Sequence, residues 1–141
     1  MAHERQICTF LLGQQLCGLP VERVQEVLRP QRMTRMPLAP AAVRGLLNLR
    51  GQVVVAIDLR PRFGLPPTPS PTSCKNVVVR GVDGPASLLV DEVGDVVTVG
   101  DLQRESPPEM MGDALRGLVT GVYKLRDRVV VLLDAEAAIS V

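Results

Sequence analysis

Two stretches of this 141-residue chain carry the same pattern in the same order, and that repeat limits the folds open to it. Residues 45–65 read GLLNLRGQVVVAIDLRPRFGL, and residues 121–141 read GVYKLRDRVVVLLDAEAAISV. Aligned without gaps, they share Gly45 with Gly121, Leu49 with Leu125, Arg50 with Arg126, Val53–Val55 with Val129–Val131, and Asp58 with Asp134. Upstream, VERVQEV at 21–27 and VDEVGDV at 90–96 share Val, acid, x, Val, x, acid, Val. The offsets are 76 and 69 residues, so a loop has grown in the second copy. Two related units follow, each of about 65 residues, a size that is marginal alone and has to lean on its neighbour. Residues 7–65 are expected to superpose on 76–141 as two similar lobes, with strands open to exchange between them.

The units read as sheet. Twenty-two residues are valine, whose stiff side chain loses freedom in helices and packs well on a pleated surface. ICTFLLGQQLCGL is a hairpin turning near Gly13, and LLNLRGQVVVAI is another turning at Arg50-Gly51, where glycine supplies positive φ. In the second unit NVVVRGVDGPASLLV turns near Val82–Pro85 and VYKLRDRVVVLLD turns at Arg126-Asp127. Val21, Val24, Val27 and Leu28 recur at helical spacing, which predicts a short helix after Pro20; its counterpart lies at 90–96. RPQRMTRMP reads as irregular or an edge strand. Four or five short strands per unit, with many turn residues, fit small closed barrels. LPPTPSPTSC, residues 65–74, reads as a stiff solvated connector.

Composition removes several functions. Only Phe10, Phe63 and Tyr123 are aromatic and the net charge is +1, which argues against single-stranded nucleic acid. A small barrel binding RNA is the alternative that a salt-titrated binding assay would separate. Cys8, Cys17 and Cys74 form no CxxC and are odd in number, as expected of reduced cytosolic thiols rather than a disulfide framework or zinc site. The N-terminal apolar run is too short for a signal peptide, and no stretch nears a membrane span, so membrane association is expected through a partner alone. His3 is the only histidine, which leaves no His-dependent triad or His-rich metal site. The sharpest enzymatic idea pairs Asp58 with Asp134 as a shared-proton dyad. Neither is followed by a turn that would present such a carboxylate, and the alternative is that each caps the short helix after it.

Gly45, Asn48, Leu49, Arg50, Gly51, Asp58, Leu59, Arg60 and Phe63 follow the spacing G-hh-NLRG-xhhPhhDLR-x-hF, with Ala56 where a proline is common. This segment resembles the signature hairpin of CheW-like proteins. The segments at 21–27, 88–93 and 121–125 are similar to the family in the same order, so the resemblance covers residues 7–138. It implies an all-β chain, two SH3-like five-stranded β-barrels in tandem with short helices, forming a single CheW-like domain over 1–141. It further implies a non-enzymatic, cofactor-free adaptor in the cytoplasm. Its partners would be the regulatory domain of a CheA-type histidine kinase and the cytoplasmic tip of chemoreceptors. A start at Met1 without phosphotransfer or ATP-binding segments points to the stand-alone adaptor rather than the kinase domain of the same fold.

The candidate receptor- and kinase-binding residues are Val24, Glu26, Val27, Gly45, Asn48, Arg50 and Gly51. Arg50 belongs at an exposed hairpin tip with Glu26 as its natural pair, while Asp127 can locally neutralise its counterpart Arg126. Val24 and Val27 read as core first and as a docking groove second. Gly45 is expected to permit a close backbone approach, either within the fold or by a receptor helix. Val93 and Val96 are the kinase-side candidates of the second unit. As a solvated connector, 65–74 is expected to have few paired backbone groups. Replacing Pro67, Pro69 and Pro71 with Ser is then expected to move the melting temperature little, and a large loss would mean the segment is packed.

Overall fold

The computed structural model describes residues 5–100, 104–109 and 112–140; His3 lies outside them. Ten strands dominate: β1 (Gln6–Leu12), β2 (Gln15–Pro20), β3 (Val24–Leu28), β4 (Val43–Leu49), β5 (Gln52–Asp58), β6 (Lys75–Gly81), β7 (Gly84–Val90), β8 (Glu92–Thr98), β9 (Val119–Lys124) and β10 (Val129–Leu133). The one α-helix described is α1 (Ala135–Ile139).

The strands form two five-stranded sheets, ordered β8-β1-β2-β10-β9 and β3-β6-β7-β5-β4. Moving each strand of the first order by five places along the chain gives the second. The pairing types agree as well. β2 runs parallel to β10 and β7 parallel to β5, while the β1–β8 and β3–β6 pairs are antiparallel and each carries a bulge. The repeat is therefore structural, but the sheets do not follow the halves of the chain. Sheet one combines β1 and β2 with β8–β10, and sheet two combines β3–β5 with β6 and β7. Residues 7–65 and 75–141 are thus units of sequence, and each contributes strands to both sheets.

Each sheet closes on itself through the segment that follows its edge strand. Thr34, beyond β3, exchanges two backbone hydrogen bonds with Leu46 of β4, at 2.9 and 2.7 Å; Glu105, beyond β8, does the same with Val122 of β9, at 2.9 and 2.8 Å. Closure removes the free edges that invite aggregation. It also explains the shared glycines. A Cβ on Gly45 would meet the Met33 Cβ at 2.9 Å, and one on Gly121 would meet the Glu105 carbonyl at 2.9 Å.

The segment after Pro20 is not the expected short helix. A single 3-10 turn, Val21–Arg23, leads directly into β3, and its counterpart is the strand β8. The β-branched valines pair across the sheet, Val24 with Val79 and Val27 with Val77, and the bulge between Val24 and Glu26 breaks the period of two. That break leaves valines three apart, the spacing that imitates a helix.

The core has three parts. Leu47, Leu49, Val54, Val78 and Leu89 lie in sheet two alone, and Ile7, Leu16, Tyr123, Val130 and Leu132 cluster in sheet one. The largest cluster joins them, with Phe10, Leu19, Val131 and Leu133 from sheet one beside Val77, Val79, Leu88 and Val90 from sheet two. Successive residues of β6 thus face different clusters, Val77 and Val79 one way and Val78 the other. A strand buried on both faces has no polar side to show, which is why Val77–Val79 and Val130–Leu133 read as unbroken apolar runs.

The connector is more tightly held than a solvated spacer. Thr68 and Cys74 are buried, and the backbone N–H groups of Leu65, Thr68, Ser73 and Cys74 all donate within the chain. Of these, Thr68 is anchored by Asp58, whose side chain is 1 % exposed. It accepts from the Thr68 N–H at 2.9 Å, the Arg60 N–H at 3.0 Å and the Arg44 guanidinium at 3.0 Å. Two turns of chain need this buried carboxylate, so Asp58→Ala is expected to cost about 2–4 kcal/mol, as is Thr68→Pro, which removes one donor. Pro67→Ser and Pro69→Ser change exposed residues and should each cost no more than about 1 kcal/mol, through the unfolded chain. Urea titrations of the four variants give the ranking; an Asp58→Ala variant as stable as the proline variants would remove Asp58 from this role.

Candidate functional site

Asn48, Arg50 and Gly51 shape the tip of the β4–β5 hairpin. Leu49 pairs with Gln52, which leaves a two-residue turn in which Arg50 has φ 51° and Gly51 φ 86°. Two successive left-handed residues are what a tight hairpin with right-handed strand twist requires. Asn48 holds the turn with its side-chain carbonyl, which accepts from the Gly51 N–H at 2.8 Å. The turn presents Arg50 outward, with its side chain 66 % exposed.

Arg50 reaches back to β3, the opposite edge strand of the same closed sheet. Its guanidinium donates two hydrogen bonds to the Glu26 carboxylate, one at 3.1 Å and a shorter one between Nη2 and Oε2. The Gln25 side-chain amide also donates to Glu26, at 3.3 Å. Hydrogen bonding from Arg50, supported by Gln25, holds the Glu26 carboxyl below the usual carboxylate range, and the same pair raises the Arg50 guanidinium. Bidentate geometry fixes the orientation of both groups. An exposed pair of this kind adds little to stability, so its consequence is where the guanidinium points.

The other expected residues fall into two groups. Val27 is 43 % exposed and Val96 53 %, so both offer apolar surface. Val24 and Val93 are half-buried and pack against the largest core cluster. Gly45 is buried, and the close approach it permits is used by Met33 and Thr34 of its own chain. Val53, 67 % exposed, was not among the expected residues. It sits directly across from Asn48, so the turn position and the alternation along β5, where Val54 and Ala56 are buried, were enough to place it on the outer face.

In sheet one, Arg126 also stands exposed at a hairpin tip. Among the described residues, however, the repeat equivalent of Glu26, Asp95, makes no ion pair with it. Asp127 forms no ion pair with Arg126; its carboxylate lies 4.0 Å from the Arg128 Nε. The motif therefore divides by role. NLRG forms an exposed tip, whereas in Asp58-Leu-Arg60 the carboxylate is buried, Leu59 is in the core, and Arg60 binds the Pro66 carbonyl at 2.8 Å and the Asp91 carboxylate.

Asp58 and Asp134 have separate partners, the latter capping α1 through the Ala137 N–H at 3.2 Å. Burial pushes the Cys17 thiol up to about 12 and the Cys8 thiol upward, so neither is a ready nucleophile. Among the described residues no cluster of His, Cys, Asp and Glu could hold a metal ion, and no helix is long and apolar enough to cross a membrane.

Comparison with known proteins gives one consistent family. Residues 6–141 match the CheW-like domain. The chain is 33 % identical to a probable chemotaxis protein CheW of Rhizobium etli, over 97 % of this chain and 88 % of that protein. It is 30 % identical to the chemotaxis protein CheW of Helicobacter pylori, over 93 % and 79 % of the two chains. The crystal structure of the scaffolding protein TtCheW from Thermoanaerobacter tengcongensis superposes with a TM-score of 0.87 at 28 % identity, covering 99 % of this chain and 94 % of that one.

Because the Glu26 carboxyl is lowered in the folded chain, the pair stabilises above the ordinary carboxylate range, and that contribution fades as pH falls through the lowered value. A carbon-detected NMR titration should find the Glu26 carboxyl titrating below the ordinary range of a glutamate. In Arg50→Ala it should return toward the ordinary range. An unchanged Glu26 titration in that variant would mean that the pair does not form in solution.

Proposed function

This chain belongs to the CheW-like family of chemotaxis scaffold proteins, which are not enzymes, and from that premise we propose that it couples chemoreceptors to a CheA-type histidine kinase. The observation that carries the reading is the Arg50 tip: an exposed guanidinium, fixed by a bidentate pair, on a rigid two-residue turn. A charged group ordered before binding loses little freedom when a partner takes it up. The exposed face of Val27 and Val53 offers apolar area near the same elements.

In this reading Arg50, Glu26, Asn48 and Gly51 form the contact, with Val27 beside them, and the partners are the cytoplasmic tip of a receptor and the regulatory domain of the kinase. Val24 supports this surface from below, and Gly45 keeps the sheet closed under it. Val96 is the kinase-side candidate on sheet one, with Val93 anchoring its strand. The chain would work at the cytoplasmic side of receptor arrays, held there by its partners and without direct contact with membrane or nucleic acid.

The repeat supplies its own control. Arg50→Glu should leave the melting curve near that of the parent and weaken binding to purified receptor tip or kinase regulatory domain by about 1–3 kcal/mol, the cost of losing a charged contact. Arg126→Glu, at the matching tip without an ion-paired partner, should cost much less. Reconstituting kinase, receptor and this chain should show receptor-dependent kinase output that falls with Arg50→Glu. Equal losses for the two variants, or a loss that merely follows unfolding, would reject the role of Arg50.

A further inference from the structure

The loop between β3 and β4 contains a residue that the fold does not reward. Pro37 and Leu38 form a tight turn, and Leu38 has φ 59°. Proline suits the first central position of such a turn, but the second, at positive φ, belongs to Gly or Asn; a branched apolar side chain there is strained. Leu38 is also fully exposed, and Met36 two residues before it is 42 % exposed. Strain and exposure thus coincide at one apolar side chain, a combination found where a surface is used.

Its surroundings give the chemistry of a partner. Beside the turn lies a cleft of about 860 Å³, lined by Met33, Arg35, Met36, Pro40, Val43 and Pro71 among others. From Val27 to Ile57 the chain has no carboxylate and five arginines; Arg44 and Arg50 are taken up by Asp58 and Glu26, and Arg29, Arg32 and Arg35 make no ion pair among the described residues. Strand exchange sharpens the asymmetry. Segment 24–90, which supplies every strand of sheet two, carries nine basic and three acidic residues, net +6; the rest of the chain carries seven and twelve, net −5. Methionine and leucine adapt to varied apolar shapes, and a basic rim selects and steers acidic partners.

We propose that the Met36–Leu38 turn and its cleft are a docking site for a peptide segment in which large apolar residues are flanked by carboxylates. The apolar residues pack against Met36, Leu38 and Met33, and the carboxylates meet Arg35, with Arg29 and Arg32 of the same loop adding positive charge. The site is separate from the Arg50 tip, so it stands or falls independently of the coupling function.

The test uses the full chain and two short fluorescent peptides. One alternates Leu and Phe with Glu and Asp, and its twin replaces every Glu and Asp with Lys. Fluorescence anisotropy should show the acidic peptide binding at least about tenfold more tightly than the twin, and more weakly as salt rises. Leu38→Asn and Arg35→Glu should each weaken binding about fivefold or more. Leu38→Asn should also raise the melting temperature by roughly 2–5 °C, because Asn tolerates the left-handed turn. Val82→Asn, which removes another highly exposed apolar side chain elsewhere, and Arg50→Glu should leave peptide binding unchanged. Equal binding of the two peptides, or loss with Val82→Asn as large as with Leu38→Asn, would overturn the proposal. So would self-association of the free chain that Leu38→Asn abolishes, since the turn would then be occupied by a second copy.

Discussion

Neither half of this chain holds the strands needed to close a sheet. β1 and β2 must find β8–β10, and β3–β5 must find β6 and β7, with the parallel pairs β2–β10 and β5–β7 made between residues distant in sequence. Most of the structure depends on that exchange. The largest core cluster lies where the sheets meet, and α1 adds Ala135 and Ala138 to it. A chain interlocked in this way is expected to fold as one cooperative unit, because removing either half takes strands from both sheets. The closing bridges at Thr34–Leu46 and Glu105–Val122 finish the work, and each needs a glycine under the crossing strand.

The exchange also positions the exposed tip. The β4–β5 hairpin is one edge of sheet two and β3 is the other, so Arg50 and Glu26 meet across the seam of a closed barrel. The buried ion pair of Asp58 with Arg44 secures the far end of β5 and the connector together. An exposed pair contributes little energy but fixes a direction, whereas a buried carboxylate with three donors fixes the chain path. The two halves of one hairpin motif therefore do different physical jobs, one of presentation and one of closure.

Much of this was legible in the sequence where the cause is local. The Arg50-Gly51 turn follows from a glycine between two apolar runs, and Glu26 is the natural acidic pair for Arg50, which the structure joins to it. The repeat itself led to two related units of four or five strands, and the family resemblance to five. What the sequence hid are effects of distant pairing. The bulge in β3 makes Val21, Val24 and Val27 look helical, and only the partner strand β6 shows otherwise. The connector looks like a free proline-rich spacer, because nothing local indicates that the Thr68 N–H reaches a buried Asp58. Gly45 gave the right physical reason, close approach, but its own chain provides the neighbour. Leu38 was passed over because a lone exposed leucine carries no period; its meaning comes from a backbone angle.

The central claim is that the Glu26–Arg50 pair is read by a partner rather than serving only to close the barrel. Exchanging the two charges tests this most directly. Glu26→Arg combined with Arg50→Glu keeps an ion pair across the seam while reversing what the tip presents. The account predicts that the double variant melts like the parent chain and that receptor-dependent kinase output remains lost in the reconstituted three-component system. Output restored by the double variant to the parent level would contradict it, because the pair would then be acting through the fold alone.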